Sequence, residues 1–211
     1  MIILIDFDDV LFDTKRFKDD VIGLFLRNGI AKDVFDKYYH NPKRNKSLKT
    51  YDPWRQLEMI RTGESFDIGK IKKELEAFMG DTGNYLFKDS LGFMETFDKA
   101  DIRIVSYGEE NFQARKIAGC GAGSRCDRVF ITEELKSEII GKILEDGDFK
   151  DDKIFFIEDR IEQIEDVKSR FPFVKTIFMR RPEGRYRDEP TKYCDFEVEN
   201  LKEAEKIIKN N

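Results

Sequence analysis

The chain has 211 residues, of which 38% are charged and 40% are apolar, and its formal net charge is −5. This apolar fraction can supply a buried core, so we do not expect an intrinsically disordered protein. No apolar run approaches the roughly 20 residues of a membrane-spanning helix, and the mildly acidic charge gives no general attraction to nucleic acid or to an anionic membrane.

Cysteine and histidine usage narrows the chemistry further. The three cysteines are an odd number without zinc-site spacing, which favours three structural thiols in a reducing compartment. The opening MIILIDFDDV has no basic stretch, so we do not expect a secretory signal and predict a cytoplasmic protein. His40 is the single histidine, so neither a Ser-His or Cys-His nucleophile nor a histidine-rich metal site is expected.

Short apolar runs alternate with longer segments of helical spacing, which is typical of an α/β fold. Several of the runs are almost continuously apolar, as in parallel strands that are buried on both faces. We predict strands at 2–7, 101–107, 128–132, 153–158 and 174–179, and helices at 110–118, 134–146, 161–170 and 200–209. The order predicts a three-layer, Rossmann-like parallel sheet.

One long interval breaks this alternation, because residues 15–87 show only helical patterns. Pro53 opens one of them, at a position where the first helical turn tolerates proline. Some seventy helical residues after the first strand are too many for a simple crossover. We therefore predict a core domain of residues 1–14 and 88–211 and an inserted helical cap domain of residues 15–87.

Acidic side chains follow two of the predicted strands. Asp6, Asp8 and Asp9 come at the end of the first strand, and Glu158 and Asp159 end the fourth. Ligands of open parallel sheets bind outside the carboxyl ends of the strands, so neighbouring strands would bring these carboxylates together. Such a cluster favours an oxygen-bound Mg²⁺ ion. The alternative for the first group is a solvated acidic turn.

Groups that suit phosphate follow the other strands. Ser106 and the backbone N–H of Tyr107 end the second strand, and Lys136 opens the helix after the third. Ser106 could instead cap a helix, and Lys136 could be a surface charge. Together with the carboxylates, however, these groups fit phosphoryl transfer through an aspartyl-phosphate.

The same segments resemble the motifs of the haloacid dehalogenase superfamily of phosphohydrolases. The four motifs resemble LIDFDDVL, IRIVSYG, ELKSEII with Lys136 (or Lys142 as the fallback) and IFFIEDR. The Glu-Asp pair in the fourth is similar to that of the β-phosphoglucomutase and phosphoglycolate phosphatase relatives. The resemblance covers residues 1–14 and about 86–208, whereas the cap resembles the family only in position, size and helical pattern.

The resemblance implies roles for individual residues. Asp6 would attack phosphorus, and Asp8 would be the general acid and then the base, which requires a pKa raised toward neutrality by its acidic neighbours. Asp9 stands where many members have glycine. The implied ligands of Mg²⁺ are the Asp6 carboxylate, the Asp8 main-chain carbonyl, Asp159, and Glu158 directly or through water, and the implied phosphate ligands are Ser106, the Tyr107 amide and Lys136.

The implied function is a Mg²⁺-dependent phosphatase that acts on a small phosphorylated metabolite. Dehalogenases and phosphonatases of the superfamily generally lack the aspartate found at Asp8. A phosphomutase and a catalytically silent binding protein remain as alternatives. A two-component receiver domain is disfavoured, because its phospho-acceptor would end the third strand, where this chain has VFITEE.

Two basic segments could contact the substrate. The first carries Tyr51 and Trp54 among basic residues, and it could bind an anionic substrate or be a solvated loop. Its basic residues are Lys43, Arg44, Lys46, Lys49 and Arg55. We interpret the second, with Arg180, Arg181, Arg185 and Arg187, as a mobile surface loop. A nucleic-acid partner is not expected, although aromatic and arginine side chains can stack on single-stranded bases; the oligomeric state is left open.

Overall fold

The computed structural model describes residues 1–39, 50–61, 66–147, 149 and 152–211. Its centre is a six-stranded sheet in the order β3-β2-β1-β4-β5-β6, with every strand pair parallel. The strands are β1 (Ile2–Ile5), β2 (Ile102–Tyr107), β3 (Arg128–Thr132), β4 (Ile154–Glu158), β5 (Lys175–Met179) and β6 (Phe196–Val198). The predicted α/β class and Rossmann-like parallel sheet are confirmed.

Helices cover both faces of the sheet. They are α5 (Ser90–Thr96), α6 (Glu110–Gly119), α7 (Lys136–Asp146), α8 (Ile161–Arg170) and α9 (Leu201–Asn210). Alternate residues of β1 enter two separate apolar clusters: Ile3 and Ile5 pack with α5, α6 and α9, whereas Ile2 and Leu4 pack with α7 and α8. Burial on both faces explains why the strand is apolar throughout.

Four further helices lie between β1 and β2. They are α1 (Thr14–Arg27), α2 (Lys32–Tyr38), α3 (Pro53–Arg61) and α4 (Ile68–Gly80). Asp13 caps α1 by accepting a hydrogen bond from the Arg16 N–H at 2.9 Å. The four helices pack on one another, and α4 also packs on α6. The division into a core and a cap domain remains a prediction.

Three local features differ from the predictions. β6 and α5 were not predicted, because three and seven residues are too few to show a clear period. α7 begins at Lys136 rather than at Glu134, whose N–H instead donates to the Thr132 hydroxyl at 3.0 Å in a turn.

Among the described helices, none is both long and apolar enough to cross a membrane.

The strand order places a site at one point of the sheet. Successive strands run outward from β1 to β3 on one side and from β4 to β6 on the other. The carboxyl ends of β1 and β4 therefore flank a topological switch point, where open α/β sheets bind ligands. Directly after β1 the chain turns sharply: Phe12 N–H donates to the Phe7 carbonyl at 3.0 Å, and Asp9 has a φ of 58°.

Candidate active site

Three buried carboxylates meet at the switch point. Asp6 follows β1, Glu158 ends β4, and Asp159 comes next in the chain. Parallel pairing brings them together, since Ile5 is in register with Ile157 and the Asp6 N–H donates to the Ile157 carbonyl at 2.9 Å. One oxygen from each carboxylate lies within 4.8 Å of the others. Of the acidic residues predicted to meet at the two strand ends, these three form the cluster.

Lys136 is the cation of this cluster. Its ammonium is buried and donates to Asp6 Oδ1 at 2.5 Å and to Glu158 Oε2 at 2.6 Å. The first turn of α7 is held in place by the Gln163 side-chain oxygen, which accepts the Lys136 N–H at 2.9 Å. Burial alone would lower the pKa of Lys136, but the two carboxylates outweigh it and raise that pKa. Lys136 is therefore charged.

One ammonium does not neutralise three carboxylates. Burial, followed by repulsion from Glu158, raises the pKa of Asp6 to about 7, although Lys136 opposes the rise. The same two causes raise the pKa of Asp159 well above its ordinary value. When all the groups are ionised the cluster carries a formal charge of −2, because three carboxylates are paired with a single ammonium.

The donor set fits a hard divalent cation. Glu158 is fully engaged, because its Oε1 accepts the N–H groups of Asp159 at 3.1 Å and Arg160 at 3.0 Å while Oε2 accepts from Lys136. In contrast, Asp159 Oδ2 is buried without a partner among the described residues. Buried carboxylate oxygens with residual negative charge are typical ligands of Mg²⁺. Asp6 and Asp159 are thus the best placed to hold it.

The surroundings of the Asp8 carboxylate differ from the predicted ones. Its carboxylate accepts hydrogen bonds from Lys116 at 2.5 Å, Thr14 at 2.7 Å and Gln113 at 2.8 Å. Burial alone would raise the pKa of Asp8, but Lys116 and Arg185 outweigh it and lower that pKa to about 2. The prediction of a pKa raised by acidic neighbours is wrong, because the side chain faces cations.

Lys116 was not identified from the sequence. It lies on α6, is 1% exposed, and has four phenylalanine rings with centroids 5.2–5.5 Å from its ammonium. The rings belong to Phe7, Phe12, Phe17 and Phe112. A signal was available, since Lys116 follows Phe112 by four residues and therefore lies on the apolar face of the helix. A buried lysine at such a position needs an anionic partner.

The arginine-rich segment contributes directly to the site. Arg185 Nε donates to Asp9 Oδ2 at 2.5 Å, and this ion pair compensates the carboxylate that stands where glycine is common. Asp9 is itself 1% exposed. The prediction of a surface loop is wrong for Arg181, which is buried, pairs with Asp89 at 2.8 Å and donates to the Val10 carbonyl at 2.9 Å.

The remaining predicted residues divide between the site and its surroundings. Tyr107 lines the same cavity as Asp6 and Lys136. Ser106 is buried, its hydroxyl has no partner among the described residues, and it does not line that cavity. Lys142 is exposed and lines a different cavity, so it is Lys136 that contacts Asp6.

Two cavities meet above the cluster. The smaller, of about 60 Å³, contains Asp6, Lys136 and Asp159, and the larger, of about 220 Å³, lies beside it. The residues that line both are Asp8, Tyr107, Arg160, Arg185 and Tyr186.

Tyr51 lines the larger cavity, whereas Arg55 is exposed. The predicted residues outside the described part of the chain are His40, Lys43, Arg44, Lys46 and Lys49.

Comparison with known proteins supports the same fold. No family model and no curated protein matches this chain. A solved structure from Burkholderia xenovorans LB400, named as a haloacid dehalogenase-like hydrolase, matches with a TM-score of 0.76 and 17% identity over 99% of this chain and 96% of its own.

Two further solved structures match at similar lengths. The HAD-hydrolase YfnB from Bacillus subtilis, bound to magnesium, has a TM-score of 0.63 and 16% identity over 98% of this chain and 97% of its own. The L-2-haloacid dehalogenase from Xanthobacter autotrophicus has a TM-score of 0.64 and 14% identity over 99% of this chain and 99% of its own. The chain therefore has the fold of the haloacid dehalogenase-like hydrolases, and the resemblance stated from its motifs is confirmed at the level of the fold.

Proposed function

We propose that this protein is a Mg²⁺-dependent phosphatase that hydrolyses a small phosphate monoester through an aspartyl-phosphate on Asp6. The observation that carries the proposal is the buried cluster in which Lys136 joins Asp6 to Glu158 while Asp159 keeps an oxygen without a described partner. This cluster combines a nucleophile, a cation for phosphate and a site for a metal ion. The hydrolase fold agrees with it.

Asp6 forms the covalent intermediate in this mechanism. Lys136 holds Asp6 Oδ1, which leaves Oδ2 to attack phosphorus. A bond forms between Oδ2 and phosphorus as the bond from phosphorus to the leaving oxygen breaks, and the alcohol departs with one proton. Water then attacks the same phosphorus, which releases inorganic phosphate and restores the Asp6 carboxylate. Bound Mg²⁺, held by Asp6 and Asp159, would offset the negative charge of the phosphoryl group.

Asp8 would move the proton of the attacking water. The carboxylate is ionised before the substrate binds, which suits it to accept a proton from the attacking water. The leaving oxygen takes up one proton from solvent in the first step, while the hydrogen bond from Lys116 keeps Asp8 ionised. In the second step Asp8 accepts the proton of the attacking water and releases it to solvent, so one turnover leaves the protonation of Asp8 unchanged.

Hydrolytic dehalogenation is the second candidate. The ionised state of Asp8 favours it, because a departing halide needs no proton. In that reaction the Asp6 carboxylate would attack carbon, displace the halide and form an ester that water hydrolyses. Asp8 itself argues for phosphate, since the dehalogenases of the superfamily generally lack an aspartate at this position.

The test measures both products with one set of proteins. Phosphate release from p-nitrophenyl phosphate and from a panel of sugar phosphates and nucleotides is followed with Mg²⁺ and with EDTA, and halide release is followed from 2-chloropropionate. Asp6→Asn is compared with Asp19→Asn, which removes an exposed carboxylate outside the site. We expect Mg²⁺-dependent phosphate release that only Asp6→Asn abolishes. Halide release without phosphate release would establish the second candidate.

A further inference from the structure

The larger cavity has an aromatic wall. Seven aromatic side chains line it, and five of them come from α1, α2, α6 and the segments beside α2 and α3: Phe17, Phe35, Tyr39, Tyr51 and Phe112. Asp8, Lys116 and Arg185 line the same cavity, and it shares residues with the smaller cavity that contains Asp6. A phosphate bound beside Asp6 would therefore leave the organic part of its ester next to these rings.

The rings support one another. Tyr39 and Tyr51 have centroids 4.6 Å apart at an interplanar angle of 32°, and Tyr51 meets Phe112 edge to face at 5.6 Å and 90°. The Tyr51 hydroxyl donates to Gln56 Oε1 at 2.7 Å, which fixes the orientation of that ring. A wall of rings held in these geometries is preformed for a planar π-system, which gains stacking energy that a saturated group of equal area does not.

The cavity has room for one aromatic ring. A cavity of about 150 Å³ holds one benzene molecule in an engineered protein core. At about 220 Å³ the present cavity suits one ring with a short substituent. The Lys18 ammonium, 4.4 Å from the centroid of Tyr39, adds positive charge at the wall and disfavours a cationic substrate.

We propose that the substrate is the phosphate monoester of an alcohol that carries a single planar aromatic or heteroaromatic ring, and that the ring packs against the aromatic wall that includes Tyr39 and Tyr51. This inference rests on the proposed phosphatase function, since that function places the phosphate at Asp6. Specificity then comes from Tyr39, Tyr51 and Phe112, and the chemical step comes from the carboxylate cluster.

The test uses phosphonates, in which a C–P bond replaces the ester linkage. Phenylphosphonate, cyclohexylphosphonate and methylphosphonate are titrated calorimetrically into the full chain with Mg²⁺, beside inorganic phosphate. We expect phenylphosphonate to bind about tenfold more tightly than methylphosphonate and several-fold more tightly than cyclohexylphosphonate, which matches its size without being aromatic.

Variants assign the preference to the wall. Tyr39→Leu should remove most of the advantage of phenylphosphonate, whereas Tyr39→Phe, which keeps the ring, should retain it. Tyr38→Leu is the matched control, because Tyr38 is similarly half-buried but does not line the cavity. Equal binding of the phenyl and cyclohexyl compounds to the unmodified chain would overturn the inference, and this arm does not depend on any variant folding.

Binding at the phosphate site is measured separately from the preference for an aromatic ring. Binding of inorganic phosphate and methylphosphonate, with turnover of any ester, supports the proposed function even if the phenyl preference is absent, and in that case only the aromatic inference fails. If none of the four ligands binds and no ester is hydrolysed, both proposals fail together.

Discussion

The Lys116 ammonium lies 2.5 Å from Asp8 Oδ1 and is enclosed by four phenylalanine rings. A lysine that is 1% exposed can stay charged only beside an anion, and Asp8 supplies it. The pair therefore links the loop after β1 to helix α6. It also fixes Asp8 as a carboxylate before any substrate arrives.

Replacement of Lys116 tests this pair. Lys116→Met keeps the length of the side chain but leaves Asp8 without its closest cation, so we expect a loss of about 3 kcal/mol in the free energy of unfolding. The double variant Lys116→Met, Asp8→Asn should recover part of the loss, because no unpaired charge remains. Urea unfolding of these two variants and of the single variant Asp8→Asn completes the double-mutant cycle. An additive result would show that the residues do not interact.

The stability of the metal-free protein should depend on pH in a characteristic way. The pKa of Asp6 is about 7 in the folded protein against an ordinary value of 3.8, so the folded state holds a proton that the unfolded state has lost. Stability should therefore fall between about pH 4 and pH 7, by on the order of 4 kcal/mol from this group. The lowered pKa of Asp8 has the opposite effect on stability. The ionised Asp8 carboxylate stabilises the fold above pH 3.8, and this stabilisation is lost as the pH falls through about 2.

Bound Mg²⁺ should reverse the loss of stability that the metal-free protein shows at high pH. Since Mg²⁺ competes with the proton for the carboxylates, it should raise the melting temperature more at pH 8 than at pH 5.5. Thermal melts with Mg²⁺ and with EDTA at both pH values measure the difference. Asp6→Asn should remove most of this dependence. Equal shifts at the two pH values would contradict the assignment of Asp6 as a ligand.

The Arg185–Asp9 ion pair should contribute to stability. Arg185→Met leaves the buried Asp9 carboxylate without its cation, and we expect a loss of about 3 kcal/mol. Adding Asp9→Gly should restore stability, because glycine adopts the φ of 58° without strain. Arg187→Met is the control, since the described contacts of the exposed Arg187 side chain are to backbone oxygens. Equal losses in the two arginine variants would refute a specific role for the pair.

Gly108 should be intolerant of a side chain. A Cβ at this residue would lie 2.4 Å from Gln113 Nε2, which donates to Asp8 Oδ2 and to the Tyr107 carbonyl. Gly108→Ala should displace Gln113 and lower kcat/KM about tenfold, since a hydrogen bond to a charged group contributes about 1.5 kcal/mol. Gly92→Ala, in open space on α5, should leave activity unchanged. An unchanged kcat/KM in Gly108→Ala would contradict the role given to Gln113.

The parts of the fold that the sequence predicts have strong local signals. Strands that are buried on both faces appear as apolar runs, so β1 to β5 are found within two residues at each end. β6 is not, because Phe196–Val198 is a three-residue edge strand that exists only by pairing with β5. Tertiary contact, not local propensity, defines such an element.

The candidate site likewise has residues that the sequence predicts and contacts that it does not. Asp6, Glu158 and Asp159 could be predicted because each follows an apolar run at a strand end. The contacts of the aspartates after β1 could not, since Lys116 is 108 residues from Asp8 and Arg185 is 176 residues from Asp9. No local pattern encodes such pairs, and the low pKa of Asp8 depends on them.

The covalent intermediate is the most direct test of the central claim. During turnover of p-nitrophenyl phosphate with Mg²⁺, hydroxylamine is added and the digested protein is examined by mass spectrometry. An aspartyl-phosphate at Asp6 should be converted to a hydroxamate on that residue, and the product should be absent from Asp6→Asn. Sustained phosphate release without a hydroxamate at Asp6, or with one at another carboxylate such as Asp8, would contradict the mechanism.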